Sequence, residues 1–475
     1  TALPHQDRLV FVDSATLREE TPDALLDRLE DLGARTLYLY AATQDMDGGP
    51  NPVQVRDELG GDDGLDKWVR AARLRGFDVI VDLELNHVSE SSPLVEAHPD
   101  WFHPFGAIRD YSDARELVFH DIEGTRDFAQ ENPAVSAYLI GAATSFVDRA
   151  PISGLGFQSA RHVPIPFWAE LVWASADSVA TRFRTVATWL SGNPRTLALV
   201  LSEAGFSEVL DVPSHFALFE TVCDGAPPER LASIMYADRR YTDPTRLVTW
   251  LDHPGIPPID ERCEGNEPNI RSVLALQHGL RGRPAITERV ARCAGSDECG
   301  RGAHLRALFD LREQHPVLFS GETRLIAAGL AGLLFLRVGR EEVATVAYNA
   351  SDTEALVVPL PLGVQSSTLQ GSYGVRVESG RLTVEPGESG IAVFRRPAIG
   401  ALEWSEPTVR SVQIRVEGAP VAAEGLVLVG DHEAFGDWES KQGLRLTRDG
   451  TSFTAAIELP RGAASEIRIV ALIDG

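Results

Sequence analysis

Asp78 to Ser89 reads DVIVDLELNHVS, an apolar run that gives way to acid, amide and imidazole side chains at its end. A run with no polar alternation suits a strand covered on both faces, as in a parallel sheet flanked by helices. Phe77 to Leu83 is therefore expected to be such a strand, presenting Asp82, Asn86 and His87 where the chain leaves the sheet.

Working outward, similar runs recur with amphipathic stretches between them. RLVFV ends at Val12, RTLYLY at Tyr40, SGLGF at Phe157, RLVTW at Trp250 and RPAI at Ile286; TLALVL begins at Thr196, and a weaker sixth strand falls between Val209 and Leu218. The stretches PDALLDRLEDLG, GLDKWVRAARLRG and NIRSVLALQHGLRG carry helical spacing and end at Gly. Alternating units of this kind build an α/β fold, and eight of them close a TIM (β/α)8 barrel over residues 1–322, with an inserted loop domain after strand 3 at about 88–130. After it the texture becomes short alternating runs, LLFLRV, VATVAYN and GIAVFRR, expected to form an all-β antiparallel sandwich over 323–397. A linker at 398–409 leads to a second β unit at 410–475.

A net charge of -25, from 69 acidic and 44 basic residues, repels phosphate backbones and anionic lipid, so neither nucleic acid nor membrane is an expected partner. A neutral ligand or a cation is compatible with that surface. Four cysteines, Cys223, Cys263, Cys293 and Cys299, are an even, sparse set that permits two bridges without requiring any. Cys293 and Cys299 flank a short polar loop and are expected to form a bridge, which points to secretion or a periplasmic or extracellular location. The protein is expected to be a monomer.

Four stretches then fall at strand ends, where this architecture builds its sites: DVIVDLELNHVS, GLGFQSARHVPIPFW, LVLSEAGF and LVTWLDHPGIPP. In that order they resemble the four signature regions of the α-amylase family, glycoside hydrolases acting on α-1,4-glucans. The tail stretch GLVLVGDHEAFGDWESKQGLRL resembles the starch-binding domain of family 20 carbohydrate-binding modules. By that resemblance a further strand and a second tryptophan would follow Gly475, so the tail is expected to be incomplete.

A retaining glycosidase needs two carboxyl groups about 5 Å apart, one as nucleophile and one as acid. The resemblance puts Gln158 at the nucleophile position, and a glutamine amide is neither charged nor a competent nucleophile. It puts Gly156 where an arginine supports the nucleophile, and Gly255 at the third acid, which stabilises the transition state. Glu203 falls at the acid/base position. His87, Arg161, His162 and Asp252 match substrate contacts, and Trp438 would be the sugar-stacking platform of the tail. Asn86, Asp127 and the backbone carbonyl of His162 match a structural calcium site, a hard-oxygen set that suits the ion; the alternative, less favoured, is that Asn86 only hydrogen-bonds the inserted loop without metal. The expectation is an α-glucan-binding protein that does not hydrolyse. The alternatives are an active hydrolase or transglycosylase with relocated acids, Asp252 among them, and a non-catalytic interaction subunit.

Overall fold

The computed structural model describes residues 8–43, 51–111, 113–177, 183–296, 299–329, 331–361, 363–397, 409–418, 425–430, 433–438, 442–460 and 467–472. Eight parallel strands close a barrel: β1 Leu9–Val12, β2 Thr36–Leu39, β3 Asp78–Leu83, β4 Gly154–Phe157, β5 Arg184–Ala187, β6 Glu208–Leu210, β7 Leu247–Trp250 and β8 Arg283–Thr287. Each pairs with the next, and β8 returns to β1. Alternate residues point inward, so Leu9, Phe11, Tyr38, Ile80, Val186, Val248, Trp250 and Ala285 fill the barrel. The other face of each strand packs under the helices in the main core, around Val10, Leu37, Val79, Leu155 and Leu247.

The fifth strand differs from the sequence reading. Thr196 to Leu201 lies in a helix, Pro194–Glu203, and the strand is Arg184–Ala187 ahead of it. The local chemistry explains this. Asn193 accepts from the Arg195 N–H at 2.9 Å and Pro194 occupies the first turn, a helix start that overrides the β-like run after it. Pro194, Leu197, Val200 and Leu201 are the buried residues, with helical spacing. The sixth strand is only Glu208–Leu210, and the rest of the expected run is the helix Val212–Val222.

Between β3 and β4 the chain leaves the barrel, pairs His87–Ser89 with Thr125–Asp127, and returns through the helix Pro133–Arg149. Beyond the barrel, a five-stranded antiparallel sheet (Glu322–Gly329, Gly332–Val338, Glu342–Asn349, Ser389–Arg395, Leu369–Tyr373) faces a three-stranded one across Leu336, Val343, Leu382, Val384 and Phe394. A further five-stranded antiparallel sheet contains Val409–Val416, Ser452–Pro460, Leu444–Asp449, Gly425–Gly430 and Ile467–Leu472. No described helix is long and apolar enough to cross a membrane.

Two disulfides are formed, Cys293–Cys299 and Cys223–Cys263. The second joins the ends of the helices Val212–Val222 and Ile259–Arg262 with Cα atoms 5.0 Å apart, an ordinary span for such a bridge. Closing a loop with a sequence separation of 40, it constrains the unfolded chain. The double variant Cys223→Ser, Cys263→Ser should lose about 2–4 kcal/mol in guanidinium unfolding.

Candidate functional site at the barrel mouth

The C-terminal ends of β3, β4 and β5 are stepped together by backbone hydrogen bonds. Asp82 pairs with Gly156 and Gly156 with Val186; the Gln158 N–H then donates to the Leu83 carbonyl at 3.1 Å, and the Thr188 N–H to the Phe157 carbonyl at 2.9 Å. Gln158 and Thr188 are therefore the first residues past β4 and β5.

Asp82 is fully buried beneath them. It accepts from the Tyr38 hydroxyl at 2.6 Å, the Ala41 N–H at 3.1 Å and the Gln158 side-chain amide at 2.5 Å. Burial pushes its carboxyl up to about 7, against the pull of those three donors. The amide of Gln158 is thus committed inward, to a neighbouring carboxyl.

Two glycines show what fills the mouth. A Cβ on Gly156 would lie 2.2 Å from the Tyr38 hydroxyl oxygen and 2.4 Å from its ring carbon Cζ, so Tyr38 occupies the space a side chain at 156 would need. A Cβ on Gly255 would lie 2.6 Å from the Tyr40 hydroxyl oxygen. Both phenols come from β2 or its end, and burial raises both, Tyr40 to about 12, so they stay neutral. His253 packs edge-on against Phe11 and Tyr40, with centroids 4.8 and 4.7 Å away, and His215 stacks on Trp250 at 3.8 Å. Burial holds both imidazoles at about 4, neutral at physiological pH.

Glu203 is not in this constellation. It is the last residue of the helix Pro194–Glu203, and it is exposed. In a (β/α)8 barrel that helix carries the chain back to the N-terminal face, so its end lies away from the mouth. The correction follows from the fifth strand: with β5 at Arg184–Ala187, the residue entering the mouth is Thr188, 7% exposed. The short run RTVA followed by the Asn193-Pro194 helix start was the available signal.

Asp252 is buried and tied down. Its Oδ1 accepts from the Ile259 N–H at 2.6 Å and its Oδ2 from Arg289 at 2.7 Å. Arg161 donates to the Leu190 carbonyl at 3.0 Å, bridging the loops after β4 and β5. His162 shares its Nδ1 with the Leu117 carbonyl at 3.0 Å, and burial lowers its pKa. His87 is buried, 3.2 Å from the Asn86 amide nitrogen and 3.8 Å from Glu84. Trp438 closes the short turn Glu433–Trp438, and its side chain lies outside the described residues.

The calcium question can be put to buried oxygens. Asn86 and Asp127 come together, since the Asn86 carbonyl accepts from the Phe128 N–H at 2.8 Å and His87 pairs with Asp127. Asn86 Oδ1, Asp127 Oδ1 and nearby Gln130 Oε1 are all buried acceptors without a hydrogen-bond donor. Burial pushes Asp127 up to about 8. His103, which the sequence reading missed, takes its other oxygen at 2.7 Å. Among the described residues no three His, Cys, Asp or Glu side chains are grouped as a metal site. The donors on hand are hard oxygens, mostly amide, and such a set fits calcium.

No protein-family model matches the chain. It is 23% identical over 381 residues to a beta/alpha-amylase of Paenibacillus polymyxa, a match covering 72% of this chain and 31% of that protein. It is 22% identical over 372 residues to a cyclomaltodextrinase of Bacillus sp., covering 68% of this chain and 64% of that one. The chain thus spans about a third of the length of the first of these relatives. Among solved structures, the α-amylase of Geobacillus thermoleovorans, complexed with acarbose, superposes with a TM-score of 0.70 at 22% identity, over 83% of this chain and all (100%) of that one. The gamma-CGTase of the alkalophilic Bacillus clarkii gives 0.64 at 12% identity, over 99% and 95%. The fold is that of the α-amylases: a closed parallel barrel followed by antiparallel sheets.

Gly156→Ala should cost about 1–3 kcal/mol or more, the usual range for overpacking. Made in a Tyr38→Ala background, the same substitution should cost far less, and a double-mutant cycle by denaturant unfolding reads the coupling directly.

Proposed function

We propose that this protein is an α-amylase-family member that binds α-glucan without hydrolysing it. The observation that carries the reading is the occupancy of the mouth. Past β4, β5 and β7, where the resemblance expects three acids, the residues are Gln158, Thr188 and Gly255. Tyr38 and Tyr40 take up the space beside the first and last of these.

The acid/base position in this reading passes from Glu203 to Thr188, whose hydroxyl cannot protonate a leaving alkoxide at neutral pH. The buried carboxyls in β3 and just past β7, Asp82 and Asp252, do not replace the missing pair. Asp82 is 0% exposed and Asp252 3% exposed, and each is saturated by inward hydrogen bonds. Displacement at an anomeric carbon needs one ionised and one protonated carboxyl facing the sugar.

Glucan binding rests on the likeness of the tail to starch-binding modules, with Trp438 as the stacking ring. Two disulfides are compatible with an oxidising, secreted setting. Calcium, held through Asn86, Asp127 and the His162 carbonyl, would supply the charge that the buried oxygens lack. It serves structure in this reading.

Starch incubated with the protein should release no reducing sugar above a buffer blank, while granular starch should retain the protein and release the Trp438→Ala variant. Reducing-sugar release that Gln158→Ala or Thr188→Ala abolishes would overturn the reading. Separately, calcium at a hundredfold excess over its Kd should add about 2.7 kcal/mol to the unfolding free energy, and Asn86→Ala should remove that increment. A wild type whose melting ignores both chelator and calcium would rule out the ion.

A further inference from the structure

Away from the mouth, a groove of about 1300 Å³ opens where the sandwich meets the barrel. One bank is the turn that follows the helix Gly302–Gln314, together with the short helix Val317–Ser320. The other bank is one end of the five-stranded sheet, and all five strands reach it, through Glu322, Val338, Glu342, Arg395 and Gln370. Four inter-strand spacings of about 4.8 Å make that bank ~19 Å long.

The charges along it do not cancel. Four guanidiniums line the groove, those of Arg324, Arg340, Arg395 and Arg396. Arg324 is paired with Glu322 at 2.8 Å, and Arg396 donates to the Gly339 carbonyl at 2.6 Å. Arg340 and Arg395 are exposed, and neither has a hydrogen-bond or ion-pair partner among the described residues. Glu342 lies opposite Arg395 in the sheet register but is held by His315 at 2.7 Å. Arg340, Arg395 and Arg396 therefore share the groove with a single uncommitted carboxylate, that of Glu341, on a chain whose net charge is -25. With a Debye length of ~8 Å at physiological salt the distant acids are screened, so this local surplus governs a ligand in contact.

The lining also selects among anions. It holds no aromatic ring, so it offers neither a stacking face for a sugar nor a platform for nucleic-acid bases. A lone phosphate is far smaller than the groove. A guanidinium presents two parallel N–H groups that match a carboxylate. Pro316, Val317 and Val338 give footing for aliphatic side chains, while Gln314 and Gln370, one on each bank, offer a donor and an acceptor to a peptide backbone. At about 3.3 Å per residue, an extended chain of about six residues spans the sheet end.

We propose that this groove docks an extended acidic segment of a partner protein, about six residues long, with its carboxylates on Arg340 and Arg395. The proposal stands apart from the glucan reading, and either can fail without the other.

The test uses the full chain and a fluorescein-labelled hexapeptide of alternating glutamate and valine, read by fluorescence anisotropy at about 0.15 M salt. Binding should saturate, and Arg340→Ala with Arg395→Ala should weaken it about tenfold or more. Both side chains are exposed, so the double variant should melt with the wild type; if it does not, Arg395→Gln alone serves in its place. The same peptide with glutamine for glutamate should bind at least about tenfold more weakly. Equimolar maltohexaose, inorganic phosphate or single-stranded DNA should leave the acidic peptide bound. No binding, binding indifferent to the arginine variants, or equal binding of the neutral peptide would overturn the proposal. Displacement by phosphate or DNA would do so too, by showing a general anion site in place of a peptide groove.

Discussion

The Tyr38 hydroxyl donates to Asp82 at 2.6 Å while its ring lies where a side chain on residue 156 would project, so β2, β3 and β4 are locked together at one layer of the barrel. The layer above inherits the consequence. With Asp82 held by three donors, the Gln158 amide turns toward it and away from the opening. Tyr40, one step further along the same strand edge, closes against Gly255 and His253. Around Asp82 the mouth is built from neutral phenols, imidazoles and an amide.

The opposite end of the barrel handles charge differently. Glu208 sits between Arg184 and Arg283, at 2.5 and 2.9 Å. Burial works against its ionised form, but the two guanidiniums outweigh it and hold the carboxyl at about 2. Asp82, equally buried but with only neutral donors, moves the other way. The counter-ion, and not the depth, decides the state of each acid.

Much of the fold was legible because runs such as DVIVDL and RLVFV have no competing helical reading. β5 was not. It is four residues long and begins on Arg184, whose charge is spent on Glu208, while the more strand-like TLALVL follows an asparagine cap and a proline and forms a helix. That single displacement carried Glu203 to the outer surface in place of the mouth. Gln158, Gly156 and Gly255 were read at strand ends and lie there, but the two tyrosines that fit against the glycines could not be foreseen, since nothing in the spacing of β2 reveals where its ring ends. The unpaired oxygens of Asp127 and Gln130 and the partner His103 depend on the folding of the inserted segment, which local pattern does not encode.

The contact between Tyr38 and Gly156 also bears on how such a protein changes over generations. Replacing Gln158 by aspartate would set a second carboxyl against that of Asp82, with no arginine to balance the pair and no room at 156 to install one. An arginine at 156 therefore becomes possible only once residue 38 is shortened.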